Sequence, residues 1–168
     1  MGACVILIGL GANLPGADNA APRQTLVAAL AALEDDGVRI ADLSPWYASA
    51  PVPASDQPDY VNAVAALETG LAPADLLALL HAVEDRLGRV HGARNAARTV
   101  DLDLLDYHGR VADDWPVLPH PRMAGRAFVL RPLRDVAPAW RHPATGETVE
   151  VLLARAADRA QVRPLGPR

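Results

Sequence analysis

In the stretch Thr99-Val100-Asp101-Leu102-Asp103-Leu104-Leu105-Asp106-Tyr107, polarity alternates residue by residue as far as Leu104. A two-residue period belongs to a strand, and it would send Asp101, Asp103 and Leu105 to one face and Leu102, Leu104 and Asp106 to the other. Upstream, Arg89 to Arg98 carries Arg or His at four positions and Val90 as its one long apolar residue, so it reads as an exposed loop. Before it, Pro73 opens a helix whose stripe is Leu76, Leu80, Val83 and Leu87, with Gly88 as the stop. Further back, Tyr60 to Glu68 and Val38 to Tyr47 read as strands, joined by a loop, Ala48 to Asp59, stiffened by Pro51, Pro53 and Pro58. Leu26, Leu30 and Leu33 mark a helix from Pro22 to Glu34, and residues 4–10 form a buried strand that runs into Gly11 and Asn13. Downstream come Pro119-His120-Pro121, the segment Phe128-Val129-Leu130 and a helix from Thr148 to Ala157.

The order is therefore βαββαβ with a tail. It predicts an α+β, ferredoxin-like sandwich: a mainly antiparallel sheet, helices on one face, a C-terminal helical extension, and room on the other face for a ligand. At 168 residues the chain suits a single domain spanning 1–168.

Composition narrows the chemistry. Hydrophobic residues at 51% against 21% charged exclude a disordered chain, and aromatics at 4% leave the core to Ala, Val and Leu. With 16 basic residues against 20 acidic, bulk charge would not hold the chain on nucleic acid. Every basic residue is Arg. The absence of Lys excludes a lysine Schiff base, a lysine general base and a P-loop lysine, whereas Arg suits bidentate contact with phosphate. Cys4, the single cysteine, allows no internal disulfide and no cysteine zinc site, and reads as an inert buried thiol. With no basic leader region and no apolar run near ~18 residues, a soluble cytoplasmic protein is expected, a monomer with no membrane or nucleic-acid partner.

Asp101 and Asp103 stand ~6–7 Å apart along the strand and share a face. Two such carboxylates need a cation or water between them, and as hard oxygen donors they suit Mg²⁺. An isolated Asp-x-Asp is more often a wet sheet edge; Arg89, Arg94 and Arg98 just upstream change the weighing, because a Mg²⁺-bridged polyphosphate would satisfy both groups. His81, Glu84 and Asp85 fall at helical spacing and could share a face. His120 has no second His or Cys at metal spacing, which argues against zinc. Tyr60 and Asn62 point to one side of their strand, where they could pair on the surface or hold a flat heterocycle; Phe128 reads as core.

Four segments carry a resemblance: Leu10-Gly11-Ala12-Asn13-Leu14; Asp56-Gln57-Pro58-Asp59-Tyr60-Val61-Asn62; Arg98-Thr99-Val100-Asp101-Leu102-Asp103-Leu104; and Pro119-His120-Pro121 followed by Arg126-Ala127-Phe128-Val129-Leu130. In order and spacing the sequence resembles the 6-hydroxymethyl-7,8-dihydropterin pyrophosphokinase family of folate synthesis. The resemblance implies transfer of the βγ-pyrophosphoryl group of ATP to the pterin hydroxymethyl oxygen, with release of AMP. By it, Asp101 and Asp103 hold two Mg²⁺ ions, and Arg89 and Arg98 act on the phosphates as catalytic residues. His81, Glu84, Arg89, Arg94, Arg98, His120 and Arg126 surround ATP. Ser49, Pro51, Val52, Tyr60, Asn62 and Phe128 form the pterin pocket. The chain departs from the family at Asn95-Ala96-Ala97, where many members carry Trp-Gly-Pro, and at Trp115 and Val117 beside the nucleotide. Two other classes fit the residues without the resemblance: a non-catalytic ferredoxin-like module that binds a ligand and regulates a partner, or an Asp-x-Asp nucleotidyltransferase.

Overall fold

The computed structural model describes residues 5–90 and 96–166; Cys4 and Arg94 lie outside them. The ordered elements are strand β1 (Ile6–Ala12), helix α1 (Pro22–Asp35), strands β2 (Arg39–Leu43), β3 (Tyr47–Ser49) and β4 (Tyr60–Glu68), helix α2 (Pro73–Arg86), strand β5 (Asp101–Tyr107), helices α3 (Ala127–Val136) and α4 (Val149–Arg155), and strand β6 (Val162–Pro164). The sheet runs β5-β1-β4-β3-β6, with β2 also on β4, and every pairing is antiparallel. None of the helices among the described residues is long and apolar enough to cross a membrane.

The predicted α+β class and βαββαβ core stand. Leu76, Leu80 and Val83 of α2 pack with Leu26, Leu30 and Leu33 of α1 against Ile6, Ile8, Leu10, Leu102 and Leu104 of one sheet face. The C-terminal extension lies on the other face, where Leu130, Leu133, Leu152 and Leu153 cover Leu7, Val64, Ala66 and Leu105. That face is covered at one end and left open at the other.

Four details differ from the sequence reading. The strand predicted from Val38 to Tyr47 is two strands, because Pro45 has no N–H for the ladder. Ser44 fills the break: its N–H donates to the Val64 carbonyl at 3.0 Å, and its Oγ accepts the Val64 N–H at 3.0 Å and donates to the Pro45 carbonyl at 2.8 Å. Phe128-Val129-Leu130 opens helix α3, which carries Pro132 inside it. The alternation of β5 ends at a bulge, where Ile8 faces Leu104 but Leu7 faces Asp106. The extra residue sends Asp106 to the second face instead of the first, where its buried carboxylate accepts Trp140 Nε1–H at 2.6 Å and the Gly109 N–H at 2.8 Å. The short strand β6 had no counterpart in the sequence reading.

Candidate active site

On the open end of the second face, register brings the functional strands together: Gly11 lies between Asn62 and Asp101, and Gly9 between Val64 and Asp103. The two glycines form a floor without side chains. A Cβ at Gly11 would stand 3.4 Å from Asn62 Oδ1 and one at Gly9 would stand 3.5 Å from Leu105, so side chains here would fill the space above the strands. The cleft over this floor has a void of about 830 Å³ including its open mouth. Ser49, Pro51, Val52, Tyr60, Asn62, Arg98, Asp101, Asp103, Arg126 and Phe128, ten of the residues singled out from the sequence, line this one cleft.

One wall is organic in character. Asn62, almost fully buried, donates through Nδ2 to Ser49 Oγ at 2.8 Å, which fixes which end of the amide faces the cleft. Tyr60 donates its hydroxyl to the Ala96 carbonyl at 3.2 Å. Burial pushes the Tyr60 phenol up, Arg98 pulls it down and Asp101 raises it. Phe128 is packed against the C-terminal core while still lining the cleft, and the Arg126 guanidinium carbon stands 5.4 Å from its ring centroid. The sequence reading of Phe128 as plain core is thus half right.

The other wall is charged. Asp101 is gripped on both oxygens: Arg89 Nη1 bonds Oδ1 at 2.8 Å and Arg98 Nη1 reaches Oδ2 at 2.7 Å. Arg89 is held from behind by Glu84, whose Oε1 also accepts the Leu102 N–H at 2.6 Å. Glu84 is 0% exposed, so it does not share the face that helical spacing allowed it with the exposed His81 and Asp85; it turns inward beside Val83, onto the sheet. Burial pushes its carboxyl up to about 7, while the Leu102 N–H and Arg89 pull it down. Arg89 and Arg98 are correspondingly drawn in to Asp101, not left as the exposed loop that composition suggests.

Asp103 is 39% exposed at its side chain, and desolvation by the cleft wall first, then the Asp101 charge, raises its pKa. Arg98, Arg126 and Arg122 pull it the other way. His120 sits behind, its Nε2 3.9 Å from Asp103 Oδ1. Its Nδ1 accepts the Arg122 N–H at 3.2 Å, which assigns the proton of the neutral ring to Nε2. Burial, then Arg126 and Arg122, push the imidazole down to about 4, so it is neutral at pH 7.

His81, Glu84, Arg89 and His120 do not line the cleft, although Arg89 and His120 reach the carboxylates that do. His81 is exposed on α2, its ring 6.4 Å from that of Trp115, which is itself 69% exposed. Two residues escaped the sequence reading. Arg122 lines the cleft and adds a cation beside Asp103; its place directly after Pro119-His120-Pro121 was the available signal. Asn13 is buried and works as a clasp: its Nδ2 donates to Gln57 Oε1 at 3.2 Å and the Pro58 carbonyl at 3.1 Å, and its Oδ1 accepts the Arg98 N–H at 2.8 Å. It ties the proline loop to the start of the Arg98–Asp101 wall.

Paired carboxylates ringed by guanidinium groups, facing an aromatic and amide wall across an antiparallel sheet, define an α+β protein whose cleft suits a phosphorylated ligand beside a flat one. The 7,8-dihydro-6-hydroxymethylpterin-pyrophosphokinase family matches residues 7–138, and the chain belongs to that family. The 2-amino-4-hydroxy-6-hydroxymethyldihydropteridine pyrophosphokinase of Pseudomonas aeruginosa is 45% identical over 152 residues, covering 89% of this chain and 90% of its own. That of Synechocystis is 37% identical, covering 96% of this chain and 80% of its own. A crystal structure of the Plasmodium falciparum HPPK-DHPS triple mutant superposes with a TM-score of 0.69 at 11% identity, over 95% of this chain and 46% of that one, a likeness of fold.

Proposed function

We propose that the cleft transfers the pyrophosphoryl group of ATP to the hydroxyl of 6-hydroxymethyl-7,8-dihydropterin, releasing AMP, with the phosphates at Asp101, Asp103 and the arginines and the pterin at Tyr60, Asn62 and Phe128. Family membership carries the reaction. The observation that supports these roles is that both sets of residues line one cleft. Family membership also favours this reading over a non-catalytic module or a nucleotidyltransferase.

Asp101 and Asp103 suit Mg²⁺: they are hard oxygen donors on one face of β5, and among the described residues no third His, Cys, Asp or Glu joins them, which leaves positions for phosphate and water. Two ions held there would neutralise the triphosphate charge. The chain's own groups supply the rest. Arg89 and Arg98 can move a guanidinium contact from Asp101 to phosphate oxygens, Glu84 keeping Arg89 aimed from below. Arg126 and Arg122 add charge near Asp103. His81 lies on the ATP side, and Arg94 completes the arginine set in this reading. Neutral His120, its Nε2 3.9 Å from Asp103 and not hydrogen-bonded to it, has an N–H to offer the ATP side in this reading. Asn62 reads the edge of the pterin, Ser49, Pro51 and Val52 close its rim, and Tyr60 and Phe128 offer ring faces. The pterin oxygen bonds to the β-phosphorus as the bond from that phosphorus to the AMP oxygen breaks, and the hydroxyl proton passes to solvent. Catalysis is then mainly positioning and charge stabilisation.

The enzyme is a cytoplasmic monomer in this reading, and its single domain is supported by one sheet shared by both cores. Incubation with ATP, Mg²⁺ and the reduced hydroxymethylpterin should give AMP and the pterin diphosphate. Formation of ADP, or ATP binding that ignores Mg²⁺ with no turnover, would defeat it.

A further inference from the structure

The buried side chain of Asp158 has no part in that mechanism. Asp158, 8% exposed, follows α4 and lies beyond the residues that match the family. Its Oδ1 accepts the backbone N–H of Ala127 at 2.8 Å, while its Oδ2 is buried with no hydrogen-bond partner among the described residues. Ala127 is the first residue of α3 and stands between Arg126 and Phe128, both of which line the cleft. The residue at the N-cap position, Arg126, offers no side-chain cap, so an N–H of the first turn is satisfied from a distant part of the chain. One turn further, Arg131 Nη2 donates to the Arg159 carbonyl at 3.1 Å.

The same short segment reaches a second part of the cleft. Strand β6 pairs with β3, placing Val162 opposite Ser49, and Ser49 to Val52 also line the cleft. Residues 158–164 therefore touch both the Arg126–Phe128 turn and the strand that carries Ser49.

We propose that residues 158–164 brace the pterin side of the cleft, with Asp158 as a positioning residue that fixes the Arg126–Phe128 turn through the Ala127 N–H. This rests on the placement of the pterin at Phe128 and Asn62 given above. Removing the carboxylate leaves a buried N–H without an acceptor, and the turn can relieve this only by moving, which displaces Phe128 from the cleft.

The test compares Asp158→Ala with Asp158→Asn, which keeps an acceptor oxygen of the same reach, and with Thr148→Ala. Thr148 caps α4 through Val151 N–H at 3.3 Å, so its loss is a cap lost away from the cleft. KM and Kd for pterin and for ATP are measured well below each variant's Tm. Asp158→Ala should weaken pterin binding by about tenfold, the size of one hydrogen bond to a charged group. ATP constants should weaken by a smaller factor than pterin binding, because Arg126 shares the turn, Asp158→Asn should restore both to within about threefold, and Thr148→Ala should lower Tm alone. If Asp158→Ala does not fold, Asp158→Ser, with an acceptor too short to reach, should show the same loss. Unchanged pterin binding in Asp158→Ala, or failure of Asn to restore it, overturns the brace. A wild-type protein that binds no pterin would instead overturn the functional reading beneath it.

Discussion

The two faces of this sheet are made from the same strands in alternation, yet they answer to different demands. On the face under α1 and α2, Ile6, Ile8, Leu10, Leu102 and Leu104 are at most 3% exposed and carry no polar atom. One residue along in each strand, the opposite face presents Gly9, Gly11, Asn62, Asp101 and Asp103. The first arrangement is stable because these side chains are apolar and close-packed, with Glu84 the buried acid among them, held by the Leu102 N–H and Arg89. The second holds two like charges at successive same-face positions of one strand, a cost that Arg89 and Arg98 offset at Asp101 and that a bound cation would offset further. The C-terminal helices cover the apolar half of that second face and stop where the polar half begins. A fold of this kind thus separates stability from chemistry by strand parity on one axis and by coverage on the other.

That separation can be broken deliberately. The largest effect is expected for Asp103→Ala, which should cut turnover by about 10³-fold, a loss of several kcal/mol of charge stabilisation. Its Tm, measured without Mg²⁺, should stay level or rise, since repulsion from Asp101 is relieved. A parallel fall of Tm and activity would place Asp103 among structural residues.

Leu80→Ala is the converse. Leu80 is 0% exposed on the first face, so the variant should lose about 2–5 kcal/mol of unfolding free energy in a denaturant titration. KM for both substrates should hold while the protein stays folded. A pterin KM that shifts with it would show that the faces are coupled.

Much of this division was legible in the sequence because both faces follow a period of two. Tyr60 to Glu68 was found to the residue, and the shared face of Asp101 and Asp103 follows from alternation alone. The failures have physical causes. Pro45 interrupts a ladder that apolar pattern joins. The bulge at Leu105 shifts Asp106 by one position; the Leu104-Leu105 doublet breaks the alternation there, but a strict period of two reads through it. Phe128-Val129-Leu130 is too short a run to separate strand from helix, and Pro132 hides the helix that follows. Inside the site, residue types were readable and partnerships were not. Glu84 meets the Leu102 N–H and Asn13 the Arg98 N–H only after distant elements pack, so the sequence showed an acid and an amide without showing what they hold.

Phe128→Ala tests the boundary between the covered and open halves, because this side chain belongs to both. It should weaken pterin binding by about 1–3 kcal/mol, as for loss of a stacked ring, with ATP binding little changed. Calorimetric titration of each ligand separates the outcomes: equal weakening of both would make Phe128 a core residue only.

The smallest effect probes how the covered half is fastened. Tyr47, in β3, donates its hydroxyl to Asp135 Oδ2 of α3 at 2.6 Å, and burial followed by that bond and the Asp135 charge pushes its phenol up to about 12. Tyr47→Phe should cost about 1 kcal/mol below pH 10, just under the range for a bond to a charged group because Asp135 is 27% exposed at its side chain. The sign of the pH dependence follows from the raised value. Below pH 10 the phenol is protonated in both folded and unfolded chains and the bond contributes fully. Between 10 and about 12 the unfolded chain releases the proton while the folded chain retains it, so wild-type stability falls through this window and the gap to Tyr47→Phe narrows. With no Lys in the chain, that window holds little besides the three tyrosines, which makes the measurement clean. Urea titrations of both proteins at pH 9 and pH 11 should show the gap shrinking; a gap that widens would mean that Tyr47 ionises more readily in the folded protein, and the tie to Asp135 would not be the one that fastens β3 to α3.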